Sequence, residues 1–141
     1  MKMTKSIKLT TVALTATFGL AIAASAQNTA GNLPPASTKE GVTYATDIKA
    51  ILDASCAKCH GAEKPKARLR LDSLEGALKG GKDGKVVTAG DSANSLIVKA
   101  VAHLTADHDQ WMPPLHNRAN IEPLTAEQIG LIRAWIDQGA K

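Results

Sequence analysis

The sequence predicts a small all-α domain in which about four short helices are joined by long loops. Apolar residues recur at helical spacing in several segments, which is the pattern of helices with one buried face. Near the start of the predicted domain, these residues are Tyr44, Ile48, Ile51 and Leu52. Only Val86-Val87 suggests a strand, and a brief one. The pattern therefore indicates helices and loops without a sheet of any size.

The first two predicted helices lie on either side of a short cysteine motif. The first is capped by Thr43 and runs to about Ser55. The second is capped by Asp72, with Glu75 three residues later as the partner in a capping box. Gly80-Gly81 ends it, because glycine readily adopts the backbone conformation that closes a helix.

The third predicted helix begins near Ser92 or Asn94 and ends near Ala102. Its apolar residues cover more than one face, which predicts extensive burial. The last helix has the clearest limits, since Thr125 opens a capping box and Gly139 provides a stop. Its predicted buried stripe consists of Ile129, Ile132, Trp135 and Ile136.

Residues 1–26 have the features of a secretory signal peptide. Its basic residues are Lys2, Lys5 and Lys8. They precede a 16-residue apolar stretch, Leu9 to Ala24, which is shorter than the 18 or more residues of a membrane span. Cleavage after Ala26 predicts export to the periplasm, and an uncleaved anchor is the alternative.

Removal of the signal leaves 115 of the 141 residues and changes the charge balance. Residues 27–42 are predicted to be a flexible leader, and residues 43–141 a single domain. Three of the 17 Lys and Arg lie in the signal, so 14 remain against 13 Asp and Glu. A nearly neutral chain gives no charge basis for nucleic-acid binding. We expect a monomer without a membrane span in its mature form.

The most informative stretch is Cys56-Ala57-Lys58-Cys59-His60, a Cys-x-x-Cys-His motif of the kind that attaches c-type haem. Two thiols three positions apart lie on one side of a helical turn. Both can therefore add to the two vinyl groups of one porphyrin, and His60 can bind the iron as proximal ligand. The motif predicts one haem c, attached through thioether bonds to Cys56 and Cys59.

Three other interpretations of the motif are weaker. A thioredoxin-like thiol pair would be expected within a βαβ unit, and none is visible in the sequence. A structural zinc site needs four protein ligands, and here a fourth would have to come from a distant position. A disulfide between Cys56 and Cys59 is compatible with an exported protein but leaves His60 without a role.

The sixth ligand of the iron is predicted to be Met112, the only methionine after the signal peptide. A thioether is a soft ligand that stabilises ferrous iron. Pro113-Pro114 stiffens the chain that would hold the sulfur in place. The alternatives are an open sixth position, or Met112 as core filling with a histidine as ligand instead. The candidate histidines are His103, His108 and His116.

Other residues are assigned to the cofactor less directly. Arg70 is a candidate to pair with a haem propionate, since a guanidinium meets a carboxylate through two hydrogen bonds. A solvated arginine is the alternative. Trp111 and Trp135 are expected either to line the haem pocket or to fill the core.

A longer pattern surrounds these residues. It consists of Cys56-Ala57-Lys58-Cys59-His60-Gly61, Leu69-Arg70-Leu71-Asp72-Ser73, Gly80-Gly81, Gly90, Ser95-Leu96, Met112-Pro113-Pro114 and the final helix. The chain resembles the small monohaem cytochromes c, and most of all the planctomycete-type cytochrome c domain, from about Tyr44 to Ala140. The resemblance implies the small cytochrome c fold, with short helices wrapped around one covalently bound haem. It also implies that the first and last helices cross near the haem.

The function expected from motif and resemblance is that of a periplasmic one-electron carrier, not an enzyme, with His60 and Met112 as axial ligands. Its partners would be redox proteins that dock briefly, and Lys58, Lys64 and Lys66 are candidates to steer an acidic one. One alternative is a haem enzyme or gas-binding sensor with an open or displaceable sixth position. Another is a haem-free thiol or zinc protein.

Overall fold

A computed structural model describes residues 32–141 of the chain. The predicted signal peptide and the first residues of the leader lie outside this range. Within it the structure has helices and no strand, and only an isolated bridge joins Gly81 and Gly84. The predicted all-α class is therefore confirmed for this range, whereas the brief strand at Val86-Val87 is not formed. No helix in residues 32–141 has both the length and the apolar character needed to cross a bilayer.

Residues 32–141 contain five α-helices, which are α1 (Lys49–Ser55), α2 (Ala57–His60), α3 (Leu74–Lys79), α4 (Leu96–Val101) and α5 (Ala126–Asp137). Two short 3₁₀ turns, Lys66–Arg68 and His108–Gln110, lie in the loops before α3 and after α4. Most of the chain outside α5 is thus made of short helices and irregular connections, as expected for the predicted class.

The first predicted helix is divided into three parts. Thr43 caps its start, as predicted, and accepts a hydrogen bond from the Thr46 amide. Tyr44–Ile48 then forms a π-helical turn that leads into α1. Cys56, with φ −126° and ψ −38°, interrupts the helix and separates α1 from α2. The chain therefore changes direction at the first cysteine, and α2 carries the rest of the motif.

The start of α3 differs by one residue from the prediction. Ser73 rather than Asp72 is the cap, because Ser73 has the extended backbone of a cap and accepts a hydrogen bond from the Gly76 amide. The Asp72 carboxylate instead binds Arg70. The helix ends at Gly80, whose φ of +83° favours glycine.

Helix α5 organises the core. Its predicted capping box is confirmed, since the side chains of Thr125 and Gln128 each bind the other residue's amide. The helix packs on α4 and on the turn that precedes α1. Trp135 lies in this core with its ring 6.0 Å from that of Tyr44. The largest fully buried apolar residues are Trp135, Ile48, Leu52, Ile129, Ile132, Ile136 and Val98.

The part of the leader that the structure describes lies against α5. The Ser37 amide donates to the carbonyl of Gly130 at 2.9 Å. The Arg133 guanidinium binds the carbonyl of Pro34, and Pro34 is itself buried. The amide of Val42 completes these contacts by donating to the Gln138 side chain at 3.1 Å. A segment expected to be flexible is thus attached to the last helix at several points.

Candidate functional site

A cavity of about 960 Å³ opens between α2, α4 and the loops on either side of them. This volume lies at the upper end of the range of about 300 to 1,000 Å³ that small-molecule and cofactor sites occupy. Its walls are mainly apolar. They include Leu69, Leu71, Val86, Ile97, Val101 and Ile121.

Both cysteines of the motif line this cavity as free thiols. Cys56 is buried and Cys59 is half-buried. Burial, with a smaller contribution from the neighbouring Cys59, raises the pKa of the Cys56 thiol to about 12. Reactive redox thiols have pKa values below the ordinary one, so this environment does not support the thioredoxin-like interpretation.

His60 lines the cavity beside the thiols and is held by a main-chain acceptor. Its Nδ1 lies 3.2 Å from the carbonyl oxygen of Leu69. Because a carbonyl can only accept, Nδ1 carries the proton of this hydrogen bond, and Nε2 is left free to bind a metal. Burial lowers the pKa of His60, which favours the neutral imidazole that metals bind.

The segment that carries the Leu69 carbonyl is fixed to the motif at two further points. The Leu71 amide donates to the carbonyl of His60 at 2.7 Å. The hydroxyl of Tyr44 donates to the carbonyl of Leu71 at 3.0 Å. Tyr44 also packs on Trp135, so the position of the His60 ring depends on the core.

Gly81 brings a second loop against this segment. A Cβ at position 81 would lie 2.7 Å from the Ala67 carbonyl oxygen and 3.1 Å from the Leu69 Cβ, distances that a side chain does not tolerate. The neighbouring Lys82 amide donates to the same Ala67 carbonyl at 2.7 Å. The close approach of the two loops therefore supports the backbone that orients His60.

Met112 lines the same cavity from the segment after α4. It is partly buried and packs on the core. Its amide donates to the carbonyl of Ala100 at 3.0 Å, which attaches the segment to the end of α4. The next residue, Pro113, follows a cis peptide bond, and its carbonyl lies 3.1 Å from Nε2 of His103. The predicted sixth ligand and the predicted proximal histidine thus face one cavity.

Of the three histidines predicted as alternative ligands, not all lie on the wall of this cavity. His103 stacks on Trp111 with ring centroids 5.0 Å apart, and His108 packs on Trp111 at 4.1 Å. Neither histidine is part of the cavity wall, whereas His116 is. Trp135 belongs to the core, so the structure separates the two tryptophans that the sequence left equivalent.

Arg70 does not lie on the cavity wall. Its guanidinium binds both carboxylate oxygens of Asp72, at 3.0 and 2.8 Å. The Asp72 carboxylate raises the pKa of Arg70 and is a partner that was not expected from the sequence.

The basic residues that do line the cavity wall are Lys58, Lys66, Lys82, Lys85 and Arg118. The Arg-x-Asp pattern was the local signal for the pairing of Arg70 with Asp72, while no local pattern indicated Arg118.

These observations test whether the residues present fit a covalently attached haem. The cavity combines an adequate volume, apolar walls, two thiols, an imidazole with a free Nε2 and a thioether. This donor set is the one that haem c requires. Within residues 32–141, no three His, Cys, Asp or Glu side chains come together as a site for a bare metal ion.

A helical frame with this donor set around one cavity is the arrangement expected of a c-type cytochrome domain. Residues 56–116 match the family model described as planctomycete cytochrome C. The match supports a cytochrome c-type domain in this part of the chain and bears out the resemblance found in the sequence. Domains of this family typically bind haem c, transfer electrons and lie outside the cytoplasm. No curated protein and no solved structure matches the chain.

Gly81→Ala should lower stability and also disturb the His60 hydrogen bond. The new methyl group displaces the Ala67 carbonyl, and overpacking of this kind costs about 1 to 3 kcal/mol. The free energy of unfolding can be measured in denaturant. The hydrogen bond to Leu69 can be followed through the exchange rate of the His60 Nδ1 proton in NMR spectra, which should rise.

The matched control is Gly130→Ala. A Cβ at position 130 would lie 2.8 Å from the carbonyl oxygen of Pro35, a similar clash far from the cavity. We expect a comparable loss of stability with an unchanged His60 proton. Equal effects of both variants on this proton would show that the close approach of Gly81 does not specifically support His60.

Proposed function

We propose that the protein is a periplasmic monohaem c-type cytochrome that carries single electrons and is not an enzyme. The observation that carries this proposal is the presence of Cys56, Cys59, His60 and Met112 on the walls of one cavity of suitable size. When bound, the haem supplies an iron that alternates between Fe(III) and Fe(II). The two cysteines would attach it covalently, and His60 and Met112 would be the protein ligands of its iron.

His60 supports this role because the fold fixes the orientation of its ring. The Leu69 carbonyl accepts the Nδ1 proton, and this fixes both the tautomer and the direction of Nε2. A hydrogen bond of this kind also raises the basicity of the ligating nitrogen. The buried His60 therefore favours a stable bond to iron in both oxidation states.

Met112 supports electron transfer rather than chemistry on a bound substrate. A soft thioether favours ferrous iron and raises the reduction potential. Its segment is attached at the Met112 amide and at the carbonyl of Pro113, so little needs to move when the charge of the iron changes. A filled sixth position also leaves no room for a substrate or gas molecule.

The apolar walls have two effects on a haem in this cavity. They exclude water, and the low polarity around an iron centre tunes its potential. They also contribute to stability, since the domain is small and has few aromatic residues to fill its core. Leu71 and Val101 are buried while they line the cavity, and thus connect it directly to the core.

The proposed location follows from the predicted signal peptide and from the motif. Residues 1–26 have the basic, apolar and small-residue regions of a secretory signal. Haem of the c type is attached outside the cytoplasm in the systems that the motif resembles. The predicted signal peptide and the haem motif therefore both support a location in the periplasm.

The mouth of the cavity is the proposed docking surface for redox partners. Five basic side chains line the cavity against two carboxylates, those of Asp83 and Asp109. Leu115, in the loop that forms one wall, is 58% exposed, and Leu96 on the wall is 38% exposed. Exposed leucines together with an excess of basic side chains favour brief contact with an acidic partner.

Replacement of Met112 by Ala should change the iron centre without unfolding the protein. We expect loss of the weak near-infrared band that ferric Met–His ligation gives in small cytochromes c. We also expect the reduction potential to fall by on the order of 100 mV, because axial ligands set haem potentials over about 0.8 V. Absorption spectra and redox titration of the haem-loaded protein measure both effects.

Leu115→Ala is the control in the same loop. Because the Leu115 side chain is exposed, its removal should leave the near-infrared band and the reduction potential unchanged.

His116→Ala tests the only candidate histidine on the described cavity wall. If His116→Ala removes the ferric signature and Met112→Ala does not, the ligand assignment is wrong. Rapid, stoichiometric binding of carbon monoxide to the reduced unmodified protein would favour the haem enzyme or gas sensor instead.

Reversal of charge at the cavity mouth should slow electron transfer to an anion. In the double variant Lys66→Glu and Lys85→Glu, oxidation of the reduced protein by ferricyanide should slow roughly tenfold at low ionic strength, within the range of electrostatic steering. Stopped-flow spectroscopy measures the rate. The difference should disappear at high salt, because salt screens exposed charges.

The double variant Lys79→Glu and Lys141→Glu has the same net charge, and neither lysine lines the cavity. Its ferricyanide rate should stay closer to that of the unmodified protein. Equal slowing by both double variants would mean that net charge alone matters and that the cavity mouth is not the site of electron exit.

A further inference from the structure

The side chain of Asn117 connects two distant parts of the loop between Met112 and α5. Its Nδ2 donates to the carbonyl oxygens of Pro114 at 2.9 Å and Ile121 at 2.8 Å. Its Oδ1 accepts from the Ile121 amide at 2.9 Å. Because carbonyls only accept and an amide N–H only donates, these partners fix the orientation of the Asn117 amide.

The loop that Asn117 connects has no regular secondary structure. From Trp111 to Thr125 no residue belongs to a helix or strand, yet this stretch forms one wall of the cavity. Prolines have no N–H, so Pro113 and Pro114 can be held by main-chain hydrogen bonds only through their carbonyls. His103 binds the first of these carbonyls and Asn117 binds the second.

Asn117 itself lines the cavity but has no donor left for a bound cofactor. Both protons of its Nδ2 are directed to main-chain carbonyls. Its donors therefore act on the backbone that they hold. The nearest chemically important residue on that backbone is Met112, two positions before Pro114.

We propose that Asn117 is a positioning residue for Met112. By tying Pro114 to Ile121, it keeps the loop closed and the Met112 thioether directed into the cavity. Loss of this connection lets the loop open, so that an external ligand competes more easily for the sixth position. The inference rests on the proposed function, in which Met112 binds the iron.

Asn117→Asp in the haem-loaded protein tests this role. The substitution preserves the size of the side chain but places an oxygen against two carbonyl oxygens in place of two donors. The affinity of the ferric protein for cyanide, which must displace Met112, should rise about tenfold or more, equivalent to roughly 1.4 kcal/mol. The near-infrared band of ferric Met–His ligation should weaken in parallel.

Asn120→Asp is the matched control, with the same change of charge three residues away. Within residues 32–141 its side chain makes no hydrogen bond, and its φ of +51° is one that Asp accepts as Asn does. Its cyanide affinity should stay within about twofold of the unmodified protein, as for other surface substitutions. Equal increases in both variants would reveal a charge effect and overturn the proposal.

Hydrogen exchange in the unmodified protein decides the case if Asn117→Asp does not fold. The Ile121 amide should exchange about tenfold or more slowly than that of Arg118, which donates no hydrogen bond within residues 32–141. Equal exchange rates for the Ile121 and Arg118 amides would refute the connection through Asn117.

An unmodified protein without the near-infrared band contradicts the proposed ligation by Met112. A band that persists in Asn117→Asp contradicts only the role of Asn117.

Discussion

The hydrogen bond from His60 to the Leu69 carbonyl joins the helix of the cysteine motif to the loop that follows it. This contact fixes the orientation of the His60 ring and leaves its Nε2 as the nitrogen that can bind a metal. Leu71 and Tyr44 extend the contact to the core, and Gly81 allows a second loop to press against it. Contacts from the tertiary fold thus fix the position of the five-residue motif.

The cavity wall that carries Met112 is held in place differently. It has no helix of its own, and its segment is held by single hydrogen bonds to Met112, Pro113 and Pro114. The partners come from α4, from the residues after it and from Asn117. The wall that carries His60 is therefore tied to the core through Leu71 and Tyr44. The wall that carries Met112 is held by one main-chain hydrogen bond, by the side chains of His103 and Asn117 and by the packing of Met112 on the core. Any difference in rigidity between the His60 and Met112 sides of the cavity would originate here.

Local chemistry explains what the sequence could predict. Thr43 and Thr125 each cap a helix through the amide three residues later, and the buried stripes depend only on helical spacing. Ser73 and Asp72 are both capable caps, and the backbone selects between them only in the folded chain. Arg70 pairs with a neighbour, whereas Arg118 and Asn117 reach the cavity wall through tertiary folding. Their roles could not be inferred from spacing alone.

The central claim is that one haem is bonded covalently to Cys56 and Cys59. The intact mass of the denatured protein, purified from a host that exports proteins and attaches c-type haem, tests it most directly. The account predicts the mass of residues 27–141 plus that of a single haem, since thioether bonds survive denaturation. A protein whose mass equals that of its polypeptide alone would contradict it.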